Sequence, residues 1–330
     1  MQRTCLLLLC SLLTAATAMG QEERTFSAQS NLVRVPTLVL DQNGAAVLGL
    51  SLANFIVEDD GIAQAANMDE EPESEPVSMM IAIQCGGRAK REFGRMNGLS
   101  SMLDPLLSNP QNEAAVLFFD SKLNLDRNFT SNADGVEKDM QELPSGDGGA
   151  AILDAIAYSA RLLGQRPKDH KRVLLLISET RDHGSHFTKL DDALKAVDGN
   201  EVSVYALPFS PYVSQQLDDL RGSNREEWTP TIDILARLQD IRQAMRKNIP
   251  QTIAHLTGGE YQRFSTQRAF ENHLIDFANH LHSRYELSFE PNNPHPGLHQ
   301  IRVRMRDPNS HRTLICRTTY WVSSGRTVVK

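Results

Sequence analysis

Val77–Ile83 reads VSMMIAI, an almost unbroken apolar run that leads directly into the polar loop QCGGR at 84–88. A second apolar run, VLLLI at Val173–Ile177, leads in the same way into the loop SETRD at 178–182. Short runs that are apolar on both faces are typical of strands buried inside a parallel sheet. Because loops that follow parallel strands meet at one edge of the sheet, we expect these two polar loops to lie together.

Strand-like and helix-like runs alternate from residue 77 to residue 282, which predicts the α/β fold class with a doubly wound, mostly parallel sheet. The strands are predicted at Val77–Ile83, Ala114–Phe119, Val173–Ile177, Val202–Leu207 and Glu260–Arg263, with an antiparallel edge strand at Lys122–Phe129. The helices are predicted at Glu92–Leu107, Ala150–Leu163, Leu190–Val197, Ile232–Ile249 and Gln267–His282. Pro250 either kinks the fourth helix or opens a new one.

Short β-like runs fill both ends of the chain. They are Leu32–Leu40 and Phe55–Glu58 near the start, and Tyr285–Phe289, Gln300–Arg306 and Thr313–Val322 near the end. Two or three strands are marginal alone, so we expect the two ends to pair into one small antiparallel β domain. Pro36 lacks a backbone N–H for a ladder hydrogen bond, which predicts that the first run is an edge strand.

Residues 1–20 have the pattern of a secretory signal peptide. Arg3 gives a positive start, Cys5–Leu13 an apolar stretch, and Ala16–Ala18 a small-residue cleavage pattern. No apolar stretch reaches the roughly 20 residues that span a bilayer, so we predict a secreted or periplasmic protein with no membrane span after the signal is removed. Lipidation of Cys10 is the weaker alternative, because a leucine and not a small residue precedes it.

These patterns divide the chain into successive segments. The predicted segments are a signal peptide at 1–20, an N-terminal β segment at 21–68, an acidic linker at 69–76, an α/β domain at 77–282 and a C-terminal β segment at 283–330. The linker is assigned on its five carboxylates and two prolines, which disfavour regular structure.

The charge and the cysteines exclude two classes of protein. The chain carries 34 basic and 41 acidic residues, a net charge of −7, so no nucleic-acid partner is expected, because phosphate binding needs a net basic face. Beyond the signal peptide only Cys85 and Cys316 remain, which excludes a disulfide framework. One bridge between them and two free thiols both stay open.

Several stretches occur in an order and spacing that indicate a known family. They are Asn31–Pro36, Phe55–Gly61, Gly148–Ile156, Val173–Asp182, Leu256–Gly259, Arg284–Leu287 and Gly297–Val303. In this order the middle of the chain resembles a von Willebrand factor A (VWFA) domain, and the full length is similar to the secreted VWFA-related proteins common in Acidobacteria. The resemblance implies a Rossmann-like VWFA fold over residues 77–282. It also implies a module that binds proteins, in adhesion or at the cell envelope.

Members of that family hold a metal ion at an Asp-x-Ser-x-Ser loop, a threonine in a second loop and an aspartate after a later strand. Carried onto this sequence, these positions fall, in that order, on Gln84, Gly86, Arg88, Ala150 and Glu179. A hard cation such as Mg²⁺ prefers oxygen ligands, and only Glu179 keeps a carboxylate. The resemblance therefore implies a degenerate metal-ion-dependent adhesion site with no metal and no other cofactor.

The loops at this edge of the sheet form a candidate ligand-binding site. Its residues are Gln84, Gly86, Arg88, Ala150, Glu179 and Asp182. We expect Arg88 to replace the ion by pairing with Glu179, because a guanidinium supplies a fixed positive charge in bidentate geometry. The alternative is that both side chains face water, where an exposed ion pair is worth only ~0.2–1 kcal/mol. Zinc binding by the histidines and aspartate of 182–186 is a weaker possibility, because a third or fourth ligand is needed nearby.

We predict a non-enzymatic module that binds an unidentified protein partner at the envelope or outside the cell. The sequence contains no nucleophile elbow, phosphate-binding loop, dinucleotide fingerprint or His-Glu-x-x-His helix, and no catalytic residue is assigned. Two alternatives stay open. One is a structural envelope component without a soluble partner, and the other, less favoured, is a secreted hydrolase that uses Ser145, Ser178 or Ser185.

Overall fold

Strands dominate both ends of the chain, and helices alternate with strands between them. The computed structural model describes residues 32–69, 75–87, 89–95, 106–209, 234–292 and 294–322. Its strands are β1 (Val33–Leu40), β2 (Phe55–Asp59), β3 (Ile62–Ala63), β4 (Ala66–Met68), β5 (Val77–Gln84), β6 (Glu113–Phe119), β7 (Leu123–Thr130), β8 (Lys171–Ile177), β9 (Val202–Ala206), β10 (Tyr285–Phe289), β11 (Gly297–Met305), β12 (Thr313–Cys316) and β13 (Thr319–Val322). Its helices are α1 (Ala89–Glu92), α2 (Ala133–Gln141), α3 (Ile152–Leu163), α4 (Leu190–Gly199), α5 (Ile234–Lys247), α6 (Ile249–Thr257) and α7 (Gln267–His282).

The five-stranded central sheet has the order β7-β6-β5-β8-β9. β5, β6, β8 and β9 run parallel, and β7 is antiparallel to β6 at the edge. Every residue of β5 is buried, because this strand lies in the middle of the sheet with packed layers on both faces. The predicted α/β class, the doubly wound sheet and the antiparallel edge strand at Lys122–Phe129 are confirmed.

Alternate residues of β5 enter two separate hydrophobic cores. On one face Met79 and Ile81 share a core with Phe277 of α7. On the other face Met80 shares a core with Ile156 of α3. Because side chains alternate across a strand, one short run supplies both layers. Fully burying a side chain of this size contributes about 1.5–3 kcal/mol, so β5 anchors the whole α/β region.

Two four-stranded antiparallel sheets, with the orders β12-β1-β10-β4 and β13-β11-β2-β3, form a second part that we call the β unit. β1 pairs with β10 and β12, and β2 pairs with β11, so each sheet combines strands from both ends of the chain. Val35 and Leu287 of one sheet share a core with Val57 and Ile301 of the other. The prediction that the two ends form one antiparallel β domain is confirmed.

The segment boundaries stay a prediction. The proposed signal peptide at 1–20 and the linker residues 70–74 lie outside the described residues. The described residues from Leu32 onward belong to one compact unit, which holds both the α/β region and the β unit. None of the helices within the described ranges is long and apolar enough to cross a membrane.

Three predictions about strands are wrong. β1 lies between β10 and β12, so it is not an edge strand. β12 pairs with β1 only from Thr37 onward, so Pro36 is paired with a residue of β10 alone. Glu260–Arg263 forms only an isolated bridge, from Tyr261 to β9. Thr313–Val322 is divided into β12 and β13, which join different sheets.

Helix α2 was not predicted, whereas one of the two predicted alternatives at Pro250 is confirmed. α2 was missed because its buried face has only Val136 and Met140, which makes the apolar periodicity weak. Its first turn is capped by the Asn132 side chain, which accepts from Gly135 N–H. Pro250 opens the new helix α6, which begins after the capping residue Asn248.

The helix predicted at Glu92–Leu107 is wrong over its first part. α1 ends at Glu92, and a 3₁₀ turn follows at Phe93–Arg95. Residues 96–105 lie outside the described ranges. By contrast, α7 has the predicted bounds, Gln267–His282, because its apolar residues recur at a regular helical spacing.

Candidate functional site

Four loops meet at the edge of the sheet where the parallel strands end, and we call this edge the rim. They are 84–87 after β5, 120–122 after β6, 145–151 before α3 and 178–187 after β8. Backbone hydrogen bonds join them, from Ala151 N–H to Asp120 O (2.7 Å) and from His183 N–H to Ala150 O (3.1 Å). The loops that follow β5 and β8 lie side by side, because these two strands pair in parallel as far as Ile83 and Ile177.

Gln84 and Glu179 form the centre of the rim. The Gln84 side chain is fully buried, and its Nε2 donates to Glu179 Oε1 (2.7 Å) while its Oε1 accepts from Glu179 N–H (2.9 Å). His183 Nε2 donates to the same carboxylate oxygen (2.8 Å). Two N–H groups therefore bind the Glu179 carboxylate.

Close backbone contacts surround two glycines of the rim, Gly86 and Gly184. A Cβ placed on Gly86 would lie 2.2 Å from Asp147 O, and a Cβ placed on Gly184 would lie 2.8 Å from the backbone nitrogen of Ala150. Side chains do not fit at such distances, so both positions require glycine. Ala150 itself is fully buried and offers no side-chain oxygen. A serine at Gly86 would force the loops apart.

Arg88 lies outside the described residues, so its expected pairing with Glu179 stays a prediction. The partners that the structure does give the Glu179 carboxylate are Gln84 and His183.

Asp182 and Asp154 hold the loop after β8 against the first turn of α3. Asp182 Oδ1 accepts from Leu153 N–H (3.1 Å) and from Ser185 Oγ (2.6 Å). The buried Asp154 accepts from His186 N–H at Oδ2 (2.9 Å). Carboxylates are stabilised at a helix N-terminus by its free N–H groups and by the helix dipole. Asp182 is thus engaged in capping, and no cluster of three close metal ligands in the described ranges includes this loop.

Two further carboxylates of the rim bind its own backbone. Asp120 Oδ2 accepts from Asp147 N–H (2.9 Å), and Asp147 Oδ1 accepts from Gly149 N–H (2.7 Å). Ser121 Oγ donates to Asp147 Oδ2, and this hydrogen bond lowers the pKa of Asp147. Such contacts are typical of aspartates that stabilise turns.

Phe187 is the feature of the rim that the sequence analysis missed. Its side chain is 93% exposed, more than any other large hydrophobic side chain in the described part of the chain. Its backbone N–H donates to Asp154 Oδ1 (3.3 Å), so the ring projects from a loop that is held by a buried carboxylate. The one signal in the sequence is a phenylalanine inside a polar loop, in a chain with only 6% aromatic residues.

The nucleophiles that a hydrolase would need are poorly placed. Cys85 is buried, and burial raises its pKa to about 12. Ser178 is also buried, and its Oγ donates to Glu179 O (2.8 Å), while Ser185 donates to the capping carboxylate. A nucleophile needs an adjacent base or a lowered pKa, and Cys85 and Ser178 have neither among their described partners. The carboxylate beside Ser185 is already bound by Leu153 N–H. Cys85 and Cys316 are both free thiols.

Comparison with known proteins gives structural neighbours only. No family model matches the sequence, and no curated protein matches it. An aerotolerance-related membrane protein from Bacteroides fragilis is 17% identical with a TM-score of 0.39, over 62% of this chain and 98% of that chain. The pilus adhesin SpaC from Lactobacillus rhamnosus is 11% identical with a TM-score of 0.40, over 69% and 34%. A von Willebrand factor type A protein from Catenulispora acidiphila is 9% identical with a TM-score of 0.43, over 91% and 76%.

These identities and TM-scores are too low to transfer a function from those proteins to this chain. The order and direction of the strands carry the fold assignment: β5 lies at the centre, β6 and β8 run parallel beside it, and β7 is antiparallel at the edge. The relationship to the acidobacterial proteins and the degenerate metal site stay predictions. The α/β region of this chain has a von Willebrand factor A-like fold.

Proposed function

We propose that this chain is an exported, non-enzymatic module that binds a protein partner through the rim and needs no metal ion there. The observation that carries the proposal is the hydrogen bond from Gln84 Nε2 to Glu179 Oε1 (2.7 Å). An amide N–H has no lone pair for a cation, and the amide oxygen of Gln84 already accepts from Glu179 N–H. The loops are thus held together by their own hydrogen bonds, in place of an ion.

Phe187 supports the protein-binding part of the proposal. Aromatic side chains are prominent among the few residues that dominate the energetics of protein interfaces. The loop that carries the ring is already fixed by Asp154 and Asp182, so little conformational entropy is lost when a partner covers it. His183, with a side chain 46% exposed, lies on the same loop and offers a partner a polar contact.

The proposed location, secreted or periplasmic, is supported by the signal-like residues 1–20. A chain delivered there meets the proteins of the envelope or of the cell exterior, and its net charge of −7 disfavours nucleic acid as an alternative ligand. The partner itself is unidentified.

The protein-binding part is tested with Phe187→Ala and with Ile275→Ala as a matched control. Ile275 is another exposed apolar side chain, 58% exposed, and it lies on α7. Each variant and the wild type are used to capture proteins from envelope extract. We expect a protein that is retained by the wild type and by Ile275→Ala but is lost with Phe187→Ala. Equal retention by both variants contradicts the proposed role of the rim in binding. If no protein is retained at all, the protein-binding proposal is wrong and a structural component is favoured.

The metal-free part is tested on the same capture after treatment with EDTA. We expect the chelated protein to retain its partner equally with and without added Mg²⁺, because no rim hydrogen bond described above depends on an ion. Loss of the partner on chelation, with recovery when Mg²⁺ is added back, shows that the proposal is wrong.

A further inference from the structure

Two aspartates and two histidines from opposite ends of the chain meet in the β unit. Asp59 and Asp60 lie at the end of β2, and His295 and His299 lie just before and within β11, the strand that pairs with β2. His299 Nδ1 lies 2.9 Å from Asp60 Oδ2 and 3.6 Å from Asp59 Oδ1. His295 Nε2 lies 3.8 Å from Asp60 Oδ2. Among the described residues, Asp60, His295 and His299 form the one group of three whose ligand atoms converge in this way.

The tautomer of His299 is fixed by its outer nitrogen. Nε2 lies 2.7 Å from the backbone oxygen of His295, and since a carbonyl can only accept, Nε2 carries the hydrogen. In the neutral ring, Nδ1 then presents a lone pair toward the two aspartates. His299 is 1% exposed and Asp59 is 6% exposed, so water does not cover these atoms.

Two inner atoms of this cluster, one on His299 and one on Asp59, lack hydrogen-bond partners. His299 Nδ1 and Asp59 Oδ1 are both buried, and neither makes a hydrogen bond of normal geometry to any described residue. Buried polar atoms without partners are destabilising, and here they face one another as acceptors. Burial raises the pKa of Asp59, although Tyr320 and His299 lower it in part.

The outer atoms, by contrast, are satisfied by the protein. Tyr320 O–H donates to Asp59 Oδ2 (2.9 Å), and Gln300 N–H donates to Asp60 Oδ1 (3.0 Å). The His299 ring also stacks on the Tyr320 ring, with centroids 4.7 Å apart. Metal sites in proteins have this organisation, in which outer partners orient each ligand and leave its inner atom for the ion.

We propose that Asp59, Asp60, His295 and His299 bind one divalent transition-metal ion, for which zinc is the best match. Imidazole nitrogens combined with carboxylate oxygens suit zinc, whereas Mg²⁺ and Ca²⁺ prefer oxygen alone. Tetrahedral zinc with bonds of about 2.0–2.1 Å places neighbouring ligand atoms roughly 3.3 Å apart. The three distances between inner atoms, 2.9, 3.6 and 3.8 Å, bracket that value.

An ion at this position would join the two ends of the chain. β2 belongs to the N-terminal segment and β11 to the C-terminal segment, so the metal would link them across a long stretch of sequence. Its binding would stabilise the folded β unit, because the ligands are together only in the folded state. The site uses no residue of the rim, so it is independent of the proposed function.

The test measures Zn²⁺ binding by isothermal titration calorimetry on the chelator-stripped full chain. The ligand variants are His295→Ala and Asp60→Asn, because these two side chains are partly exposed, at 45% and 27% respectively. Asparagine is used at position 60 because it tolerates the positive φ of 47° found there. His311→Asn is the matched control, an exposed histidine of the same β unit that also has a positive φ. Circular dichroism establishes that each variant is folded.

We expect one Zn²⁺ per chain in the wild type and in His311→Asn. Each ligand variant should weaken the affinity by at least about tenfold, since His295→Ala removes the ligand nitrogen and Asp60→Asn removes the negative charge of the carboxylate. Zn²⁺ should also raise the melting temperature of the wild type but not of His295→Ala. Should a variant fail to fold, Co²⁺ bound to the wild type must show the visible absorption of a tetrahedral site. No stoichiometric Zn²⁺ binding by the wild type, or equal binding by both ligand variants, overturns the proposal.

Discussion

The rim of the α/β region and the aspartate–histidine cluster of the β unit are two sets of polar side chains that differ in what their inner atoms contact. At the rim, Glu179 accepts from Gln84 and His183, so its charge is met by N–H groups of the protein. In the β unit, His299 Nδ1 and Asp59 Oδ1 face one another with no hydrogen bond. We infer that metal binding depends on buried lone pairs without hydrogen bonds, which the β-unit cluster has and the contact between Gln84 and Glu179 does not.

The largest effect is expected from Gly86→Ser, which places at the rim the serine that the resemblance to von Willebrand factor A domains implies for this position. A Cβ at this position would lie 2.2 Å from Asp147 O, so we expect the free energy of unfolding to fall by about 3 kcal/mol, with no gain of Mg²⁺ binding. Urea denaturation measures the loss. Gly148→Ala is the control, since a Cβ there meets nothing within 4 Å and the change should stay within about 0.5 kcal/mol.

Gln84→Glu makes the rim resemble the β-unit cluster, because it places two carboxylates side by side and removes an N–H donor. We expect a loss of about 2 kcal/mol at neutral pH that shrinks as the pH falls and the carboxylates are protonated. Added Mg²⁺ should partly restore the melting temperature of this variant and leave that of the wild type unchanged.

The matched control for Gln84→Glu is Gln141→Glu. Gln141 Nε2 also donates to a glutamate, Glu137, but on an exposed helix face (3.0 Å). There the same change should lower the free energy of unfolding by only about 0.2–0.5 kcal/mol, because water screens the repulsion between the two carboxylates. If both variants lose the same free energy of unfolding, burial of the contact between Gln84 and Glu179 does not add to its contribution.

Asp59 in the β unit should contribute to the way the stability of the metal-free protein changes with pH. Burial raises its folded-state pKa above the unfolded value, so the folded state binds more protons in the window between the two values. The free energy of unfolding therefore falls as the pH rises through that window. We expect Asp59→Asn to flatten this slope in thermal melts recorded from pH 4 to pH 8 without zinc.

The zinc-loaded wild type is the control for that series. Because zinc binding displaces protons from its ligands, its stabilisation should grow as the pH rises. An unchanged slope in metal-free Asp59→Asn would show that Asp59 is not a source of the pH dependence.

The smallest effect on stability is expected for Phe187→Ala. The side chain is 93% exposed, so its removal should change the free energy of unfolding by less than about 0.5 kcal/mol, even though partner binding is lost. Phe264→Ala is the comparison, because this phenylalanine is fully buried and its loss should cost about 3–5 kcal/mol. A large loss of stability in Phe187→Ala would mean that the ring is packed and not free for a partner.

The features predicted well from the sequence are those with strong local patterns. β5 and β8 are long apolar runs, and α7 has a regular helical period, so their positions followed from local chemistry. α2 was missed because its buried face has only Val136 and Met140. β1 was misjudged because the pairing of its second half with β12 depends on residues from the far end of the chain.

The candidate sites show the same limit. The resemblance placed Gln84 and Glu179 at one site, and the structure brings them into contact. The β-unit cluster depends on the register of β2 against β11, with Asp59 opposite Ile301, which no local pattern reveals. Phe187 was missed because exposure is a property of the folded loop and not of the residue type.

The most direct test of the metal-free rim is a Mg²⁺ titration followed by calorimetry. It is best done on the His295→Ala variant, in which the proposed zinc cluster has lost a ligand atom. We expect no saturable heat up to millimolar Mg²⁺, because the Glu179 oxygen is bound by Gln84 and His183. A one-to-one isotherm that disappears in the added Glu179→Gln variant would contradict this expectation.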